Sequence, residues 1–164
     1  MKRSLEYEHK LYEIEESPEI NGYILLNLLN ELEECTIEQL AVSFYLYRFT
    51  KVLVDILNTL KLSQEFSKTL PEQELLNLDT ILMPYLNEKY NERFKKGIIQ
   101  LLSRSLIIAN QNKISINRTK LTSRKNELEK EGSISRLKVK LVSKVIREFE
   151  IGELNKIISN IVGE

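Results

Sequence analysis

The sequence predicts a mainly α-helical fold with one short β-hairpin, and three features support this. The chain of 164 residues contains only five Gly and three Pro, which favours long regular elements over loops. Apolar residues recur at helical spacing through most of it. The periodicity changes once, at residues 106–109, where a continuous apolar run precedes a polar break and the alternating Ile114-Ser115-Ile116. We therefore expect two short strands, 106–109 and 114–117, joined by a turn.

The first predicted helix begins at Ser17. Its hydroxyl can cap a helix that has Pro18 in the first helical position. The apolar residues that follow predict that this helix continues to about Glu34. The sixteen residues before Ser17 are charged and weakly patterned, so 1–16 is predicted to be an N-terminal arm.

The second predicted helix begins with a capping box, in which Thr36 and Gln39 satisfy each other's backbone N–H groups. Residues 40–60 are apolar on nearly all sides, which predicts a central helix or two helices with a bend near Thr50. Pro71 can begin a further helix, and Pro84 interrupts the pattern after it.

The helix predicted before the hairpin has two different faces. At about 100° per residue, one face is apolar and consists of Tyr90, Phe94, Ile98, Leu101 and Leu102. An arc of about 80° on another side is basic and polar and consists of Lys89, Arg93, Lys96, Gln100 and Arg104.

This order of elements predicts the domain organisation. Helices followed by a hairpin are typical of a winged helix-turn-helix, in which the last helix and the hairpin lie side by side. We expect a single mainly helical domain over 17–164, with a winged-helix-like portion at about 17–119 and C-terminal helices at about 133–163. The alternative is that the hairpin only covers one edge of the core.

Charge is strongly segregated along a chain of zero net charge. Residues 1–87 contain 7 Lys and Arg against 15 Asp and Glu, whereas residues 88–147 contain 16 against 5. No acidic residue lies between Arg93 and Asn126. Such separation favours an anionic partner at one end of the molecule and a different partner at the other.

The basic residues around the hairpin form the candidate nucleic-acid-binding set. Cations that converge from separate elements can contact phosphates, and nothing in the set is an evident reader of base edges. Docking of an acidic protein and a merely solvated face remain alternatives. The set consists of Arg93, Lys95, Lys96, Arg104, Lys113, Arg118, Lys120, Arg124 and Lys125.

A second candidate surface lies on the helix predicted near residues 137–149. Its apolar residues cover more than half of the circumference, which fits a helix buried against a partner or a central core helix of a monomer. The candidate partner-binding residues are Leu137, Leu141, Val145 and Phe149.

Features that carry chemistry are few, so we expect a protein that is not an enzyme and needs no cofactor or metal. The one histidine, His9, lies in the charged arm, and the one cysteine, Cys35, lies at a helix cap. No nucleophile elbow or phosphate-binding loop is present. Without a signal peptide or a long apolar stretch, we expect a cytoplasmic protein with no membrane partner.

Several segments resemble the middle components of bacterial ABC three-component systems. Residues 16–34 resemble their opening motif and long first helix, with Ser17 in place of the usual Asn, and residues 36–57 resemble their apolar second block. Residues 83–116 resemble their helix and hairpin, and residues 141–164 their closing helices. The small third subunit of Lamassu-type anti-phage systems belongs to the same functional setting.

The resemblance implies an accessory subunit that acts in anti-phage defence. Its partners would be a Rad50/SMC-like ATPase and an effector subunit such as a nuclease, with double-stranded DNA bound independently of sequence as a further candidate partner. No catalytic residues are carried over. The alternative from a different class is a stand-alone winged-helix transcriptional regulator, which would dimerise on a palindrome.

Overall fold

The computed structural model describes residues 17–60, 70–75, 91–121 and 132–163. These residues are mainly helical and include a small three-stranded antiparallel sheet. The predicted arm and the segment 122–131 lie outside them. The helices are α1 (Pro18–Leu32), α2 (Ile37–Arg48), α3 (Thr50–Thr59), α4 (Glu72–Leu75), α5 (Glu92–Ser103), α6 (Arg118–Leu121), α7 (Ser133–Glu148) and α8 (Ile151–Val162), and the strands are β1 (Glu34–Thr36), β2 (Ile107–Asn110) and β3 (Lys113–Ile116).

Both predicted helix starts are confirmed. The Ser17 hydroxyl accepts a hydrogen bond from the backbone N–H of Ile20 at 3.4 Å. At α2, the Thr36 hydroxyl accepts from the Gln39 N–H at 3.1 Å, and the Gln39 side chain accepts from the Thr36 N–H at 2.9 Å. Each cap satisfies backbone donors that a helix leaves unpaired in its first turn.

The apolar stretch 40–60 forms two helices rather than one. The break is at Phe49, whose φ of −93° and ψ of 68° are not helical. Its N–H still donates to the Tyr45 carbonyl, so α2 ends there and α3 begins at the next residue. The Phe49 and Tyr45 rings lie 4.4 Å apart between centroids, which fixes the bend within the core.

The predicted hairpin is present, with its strands at 107–110 and 113–116. Ile107 pairs with Ile116 and Asn110 with Lys113, so the turn has two residues. Gln111 has a φ of 55°, the positive value that a tight hairpin turn requires at its first central position.

The expectation of a single two-stranded hairpin was incomplete. The sheet has the order β1-β3-β2, and its edge strand β1 lies in the connection between α1 and α2, where the sequence analysis extended the first helix to Glu34. Cys35 pairs with Ile114 across β1 and β3. Because both Cys35 and Ile114 are buried, their backbone groups need partners, and the sheet ladder supplies them.

The core is formed largely by α1, α2 and α3, with α7 and α8 packed against them. α7 contacts all three of these helices, and α8 contacts α3. Phe94 of α5 joins the same core, with its ring centroid 6.0 Å from that of Phe44 in α2. The sheet closes one edge of the core through the buried Ile107, Ile114 and Ile116.

The face of α7 that was a candidate partner surface is part of this core. Leu141 is 2% exposed and Val145 is not exposed at all. Leu137 and Phe149 are half-buried and pack against the same cluster. The structure therefore corresponds to the alternative of a central core helix, because α1, α2 and α3 already cover the broad apolar face.

Candidate interaction surface

α5 is held against α1 by a close approach of two glycines. A Cβ atom placed on Gly97 would lie 2.7 Å from the Leu25 Cδ1 atom and 3.1 Å from the Gly22 nitrogen. These separations are below ordinary contact distances, so a larger residue at position 97 would require Leu25 or the α1 backbone to shift. Sequence reasoning missed the contact, because the two glycines are far apart in the chain and neither stands in a turn.

The basic arc of α5 borders α1. A Cβ atom placed on Gly22 would lie 3.5 Å from the Gln100 side chain, which puts the arc beside the glycine contact. Arg93 and Gln100 are half-buried there, while Lys96 and Arg104 are exposed. The predicted grouping on one flank of the helix is therefore observed for these four side chains, while Lys89 lies outside the described residues.

Arg104 is positioned by its neighbours near the first turn of α1. The Gln100 amide oxygen, in the orientation that satisfies both partners, accepts hydrogen bonds from Nε and Nη2 of Arg104 at 2.9 and 2.7 Å. The pKa of the exposed Glu19 carboxyl is lowered, first by a backbone hydrogen bond, then by the Ser17 hydroxyl, and least by the Arg104 charge. Since the Gln100 side chain lies beside Gly22, Arg104 is held near the N-terminal half of α1.

The cations of the hairpin and of α6 lie near the other end of α1. Lys113 forms an ion pair with Glu34 at 2.7 Å, and Arg118 donates to the Asn30 side-chain oxygen at 3.0 Å. Glu19 and Asn30 are separated by about 16 Å along the helix axis, from the rise per residue. Lys113 and Arg118 therefore lie near one end of α1 and Arg104 near the other.

The remaining members of the predicted set differ in their surroundings. Lys95 pairs with Glu92 of the same helix at 3.2 Å, and Lys120 is exposed on α6. Ion pairs as exposed as those of Lys95 and Lys113 contribute little to stability. Arg124 and Lys125 lie outside the described residues.

The solvent face of α5 also carries large apolar side chains. Ile99 is 64% exposed and Leu102 is 47% exposed. The sequence analysis placed Leu102 on one apolar face with Phe94, Ile98 and Leu101, which was wrong, since the face that packs on the core consists of Phe94, Gly97 and Leu101 with Ile98 beside them. Tyr90, the remaining member of the predicted face, lies outside the described residues. The sequence analysis did not identify Ile99 as exposed. The signal was that Ile99 and Leu102 are three positions apart on the helix, on a different side from Phe94 and Leu101.

The sheet adds a third exposed apolar residue. Ile108 is 48% exposed and alternates with Ile107, which points into the core. Its cross-strand neighbour is Ser115, and the next pair on the same outer face is Asn110 with Lys113. Exposed apolar side chains are therefore present both on α5 and on β2, and these two elements are in contact.

Cys35 is not a reactive thiol in this environment. Burial raises the pKa of its thiol to about 12, and the adjacent Glu34 carboxylate contributes in the same direction. The thiolate, which is the nucleophilic form, is therefore scarce at neutral pH.

Two further features concern only the described ranges. Within 17–60, 70–75, 91–121 and 132–163, no group of three or more His, Cys, Asp or Glu side chains is arranged to hold a metal ion. No helix in these ranges combines the length and the apolar character needed to cross a membrane. His9 lies outside them.

The chain was compared with models of protein families, with curated proteins and with solved structures, and it matches none of them.

Proposed function

We propose that this chain is a non-catalytic accessory subunit of a bacterial anti-phage complex, with a winged-helix core that docks onto partner proteins. The partners would be a Rad50/SMC-like ATPase and an effector subunit, as the resemblance of residues 16–34, 36–57, 83–116 and 141–164 implies. DNA contact through Lys and Arg side chains would be a secondary activity.

The order of elements supports the winged-helix part of the proposal. α5 is followed after a three-residue turn by the hairpin β2–β3, so the helix and the wing are neighbours. β1, between α1 and α2, pairs with β3 and attaches the wing to the helical core. In a winged helix-turn-helix, the helix in the position of α5 is the one that meets the ligand.

The observation that carries the proposal is the composition of the solvent face of α5. A helix that reads DNA presents Arg, Asn or Gln to base edges in the major groove. The Arg and Gln side chains of α5 lie on the flank that borders α1, whereas its solvent face carries Ile99 and Leu102 beside the Glu92–Lys95 ion pair. Exposed aliphatic side chains favour contact with another protein. This face therefore supports an accessory subunit over a stand-alone regulator.

The division of the cations supports the same choice. Lys113 and Arg118 are held near the C-terminal end of α1 by Glu34 and Asn30, away from Arg104 at the other end. A continuous stripe of cations would favour strong DNA binding, because each neutralised phosphate adds to affinity. Two separated groups fit a weaker, sequence-independent contact.

If the genes beside this chain encode a Rad50/SMC-like ATPase, co-expression with that ATPase tests the proposal, and the lack of such a gene counts against it. The ATPase carries an affinity tag, and an unrelated tagged protein serves as the control. We expect the chain to be captured with the ATPase at a fixed ratio and to be absent from the control. Failure of capture, together with protection of a palindromic DNA site by the chain alone, would instead establish the regulator.

A further inference from the structure

From the open edge of the sheet, we infer that β2 pairs with β2 of a second copy of this chain. The two strands would run antiparallel, with Ile108 on the two-fold axis between the copies. The sheet order β1-β3-β2 gives β2 a single neighbouring strand among the described residues. The inference goes beyond the proposed function and does not depend on it, because it concerns how the chain assembles with itself.

The register of the hairpin shows which backbone groups of β2 face away from β3. Asn110 and Lys113 flank a two-residue turn, so they form a hydrogen-bonded pair. Along an antiparallel strand, positions that are bonded to the neighbouring strand alternate with positions that are not. Ile108 is therefore bonded to β3, whereas Ile107 and Ala109 direct their N–H and C=O groups to the open edge.

The two edges of the sheet differ in how they are protected. At β1, the Thr36 N–H is already bonded to the Gln39 side chain, and α2 begins directly after the strand. Natural proteins keep open edges from pairing by placing charged residues, especially Lys, or Pro on them. β2 carries neither, since the stretch 106–110 reads Leu-Ile-Ile-Ala-Asn. The edge of β2 is therefore suited to accept another strand.

Only one register of two copies uses extended residues throughout. With Ile108 on the axis, Ile107 of each copy forms a hydrogen-bonded pair with Ala109 of the other. An axis at Ile107 would require Ser105 to pair as a strand residue, and an axis at Ala109 would require the same of Gln111. The φ values of Ser105 and Gln111, 54° and 55°, lie in the left-handed region instead. The edge of β2 is thus complementary to itself in a single register.

Ile108 supplies the apolar contact in this register. Its side chain is 48% exposed, and on the axis it would lie opposite itself with the two Cβ atoms about 4.5–5.5 Å apart. No like charges would meet, because residues 106–110 are uncharged. Two short strands bury less than the roughly 800 Å² per partner of a stable interface. We therefore expect a weak dimer that forms as the concentration rises.

Cysteine cross-linking of the full chain tests the partner and the register together. Ile108→Cys places a thiol on the axis, where a Cα separation of about 4.5 Å permits a disulfide. Asn110→Cys is the matched control, since this exposed position on the same strand would lie about 13 Å or more from its copy. Under mild oxidation we expect a covalent dimer from Ile108→Cys and little from Asn110→Cys. The buried Cys35 is common to both variants.

Ala109→Pro gives a second test that retains the hairpin. Because the Ala109 N–H faces the open edge, proline there removes no hydrogen bond to β3 but removes one that pairing needs. The two-fold axis doubles this loss, so the dimer dissociation constant should rise about fivefold or more. Sedimentation at increasing concentration measures it, with thermal melting as the check on folding. Ile134→Ser, which changes an exposed isoleucine on α7, should leave the dissociation constant unchanged.

Three results would overturn the inference: a wild-type chain that is monomeric at every concentration, equal cross-linking at positions 108 and 110, or a dimer unaffected by Ala109→Pro. A monomeric chain whose Ile108→Cys variant cross-links to another protein of the complex would assign the edge to a strand of that protein instead. Capture by the ATPase is measured separately, so a captured monomer would reject this inference and retain the proposed function.

Discussion

Both α7 and α5 bury an apolar face, but they differ in the apolar side chains that lie outside it. α7 buries Val139, Leu141, Val142, Val145 and Ile146 within the protein's own core. α5 buries a narrow strip around Gly97 and leaves Ile99 and Leu102 in solvent. The apolar residues of a helix thus indicate that part of its surface is buried by other residues. Only the tertiary fold shows whether those residues belong to the same chain.

We expect the largest difference between the two helices when the same charge is placed on each. Val145→Glu inserts a carboxylate where no surface is exposed, and we expect it to cost more than about 4 kcal/mol of unfolding free energy or to prevent folding. Ile99→Glu replaces a side chain that is 64% exposed, so the free energy of unfolding should change by no more than about 0.5 kcal/mol. Urea denaturation measures both. Similar losses in the two variants would show that the face of α5 is also buried.

The buried side of α5 can be tested at its glycine. Gly97→Ala adds a methyl group 2.7 Å from the Leu25 side chain and 3.1 Å from the backbone of α1. We expect a loss of about 1–3 kcal/mol, since overpacking outweighs the gain in helix propensity. Gly152→Ala on α8, where nothing lies within 4 Å of the added atom, should instead be neutral or stabilise by up to about 1 kcal/mol. A stabilised Gly97→Ala variant would contradict the close approach of the helices.

The C-terminal end of α5 offers a smaller test. Ser105 has a φ of 54°, and its N–H donates to the Leu102 carbonyl while the Leu106 N–H donates to the Leu101 carbonyl. This is the Schellman arrangement, which favours glycine at the left-handed position. Ser105→Gly should therefore stabilise the protein by about 0.5–1 kcal/mol, because serine is strained there.

A matched substitution two residues earlier should have the opposite sign. Ser103→Gly lies in the last turn of α5 and should destabilise by about 0.5–1 kcal/mol through lost helix propensity. Thermal melting of the two variants in parallel gives the comparison. Equal shifts of the same sign would mean that α5 does not end where the structure ends it.

Local features of the fold could be predicted from the sequence, whereas the pairings between distant elements could not. The caps at Ser17 and Thr36 and the hairpin depend on neighbouring residues, so their residue types are sufficient evidence. β1 is too short to show a periodicity, and it becomes a strand only because β3 has a free edge beside it. The ion pair of Lys138 with Glu74, at 2.9 Å, joins α7 to α4 and likewise has no local signal.

The candidate site divides in the same way. The basic arc of α5 followed from helical spacing, and the structure retains it beside α1. The sequence could not show where the cations of the hairpin and of α6 lie relative to those of α5. Their positions depend on contacts between distant residues, of Lys113 with Glu34 and of Arg118 with Asn30. The exposure of Ile99 depends on which side of α5 meets α1, which the Gly22–Gly97 contact sets.

If the chain meets its partner through the solvent face of α5, as proposed, a charge placed on that face should release the chain from the complex. Size-exclusion chromatography of the chain co-expressed with the proposed ATPase and effector tests this by comparing Ile99→Glu with Ile134→Glu, which changes an exposed isoleucine on α7. We predict that wild type and Ile134→Glu elute within the complex, while Ile99→Glu is folded but elutes separately. Elution of Ile99→Glu with the complex at the wild-type ratio would contradict the claim.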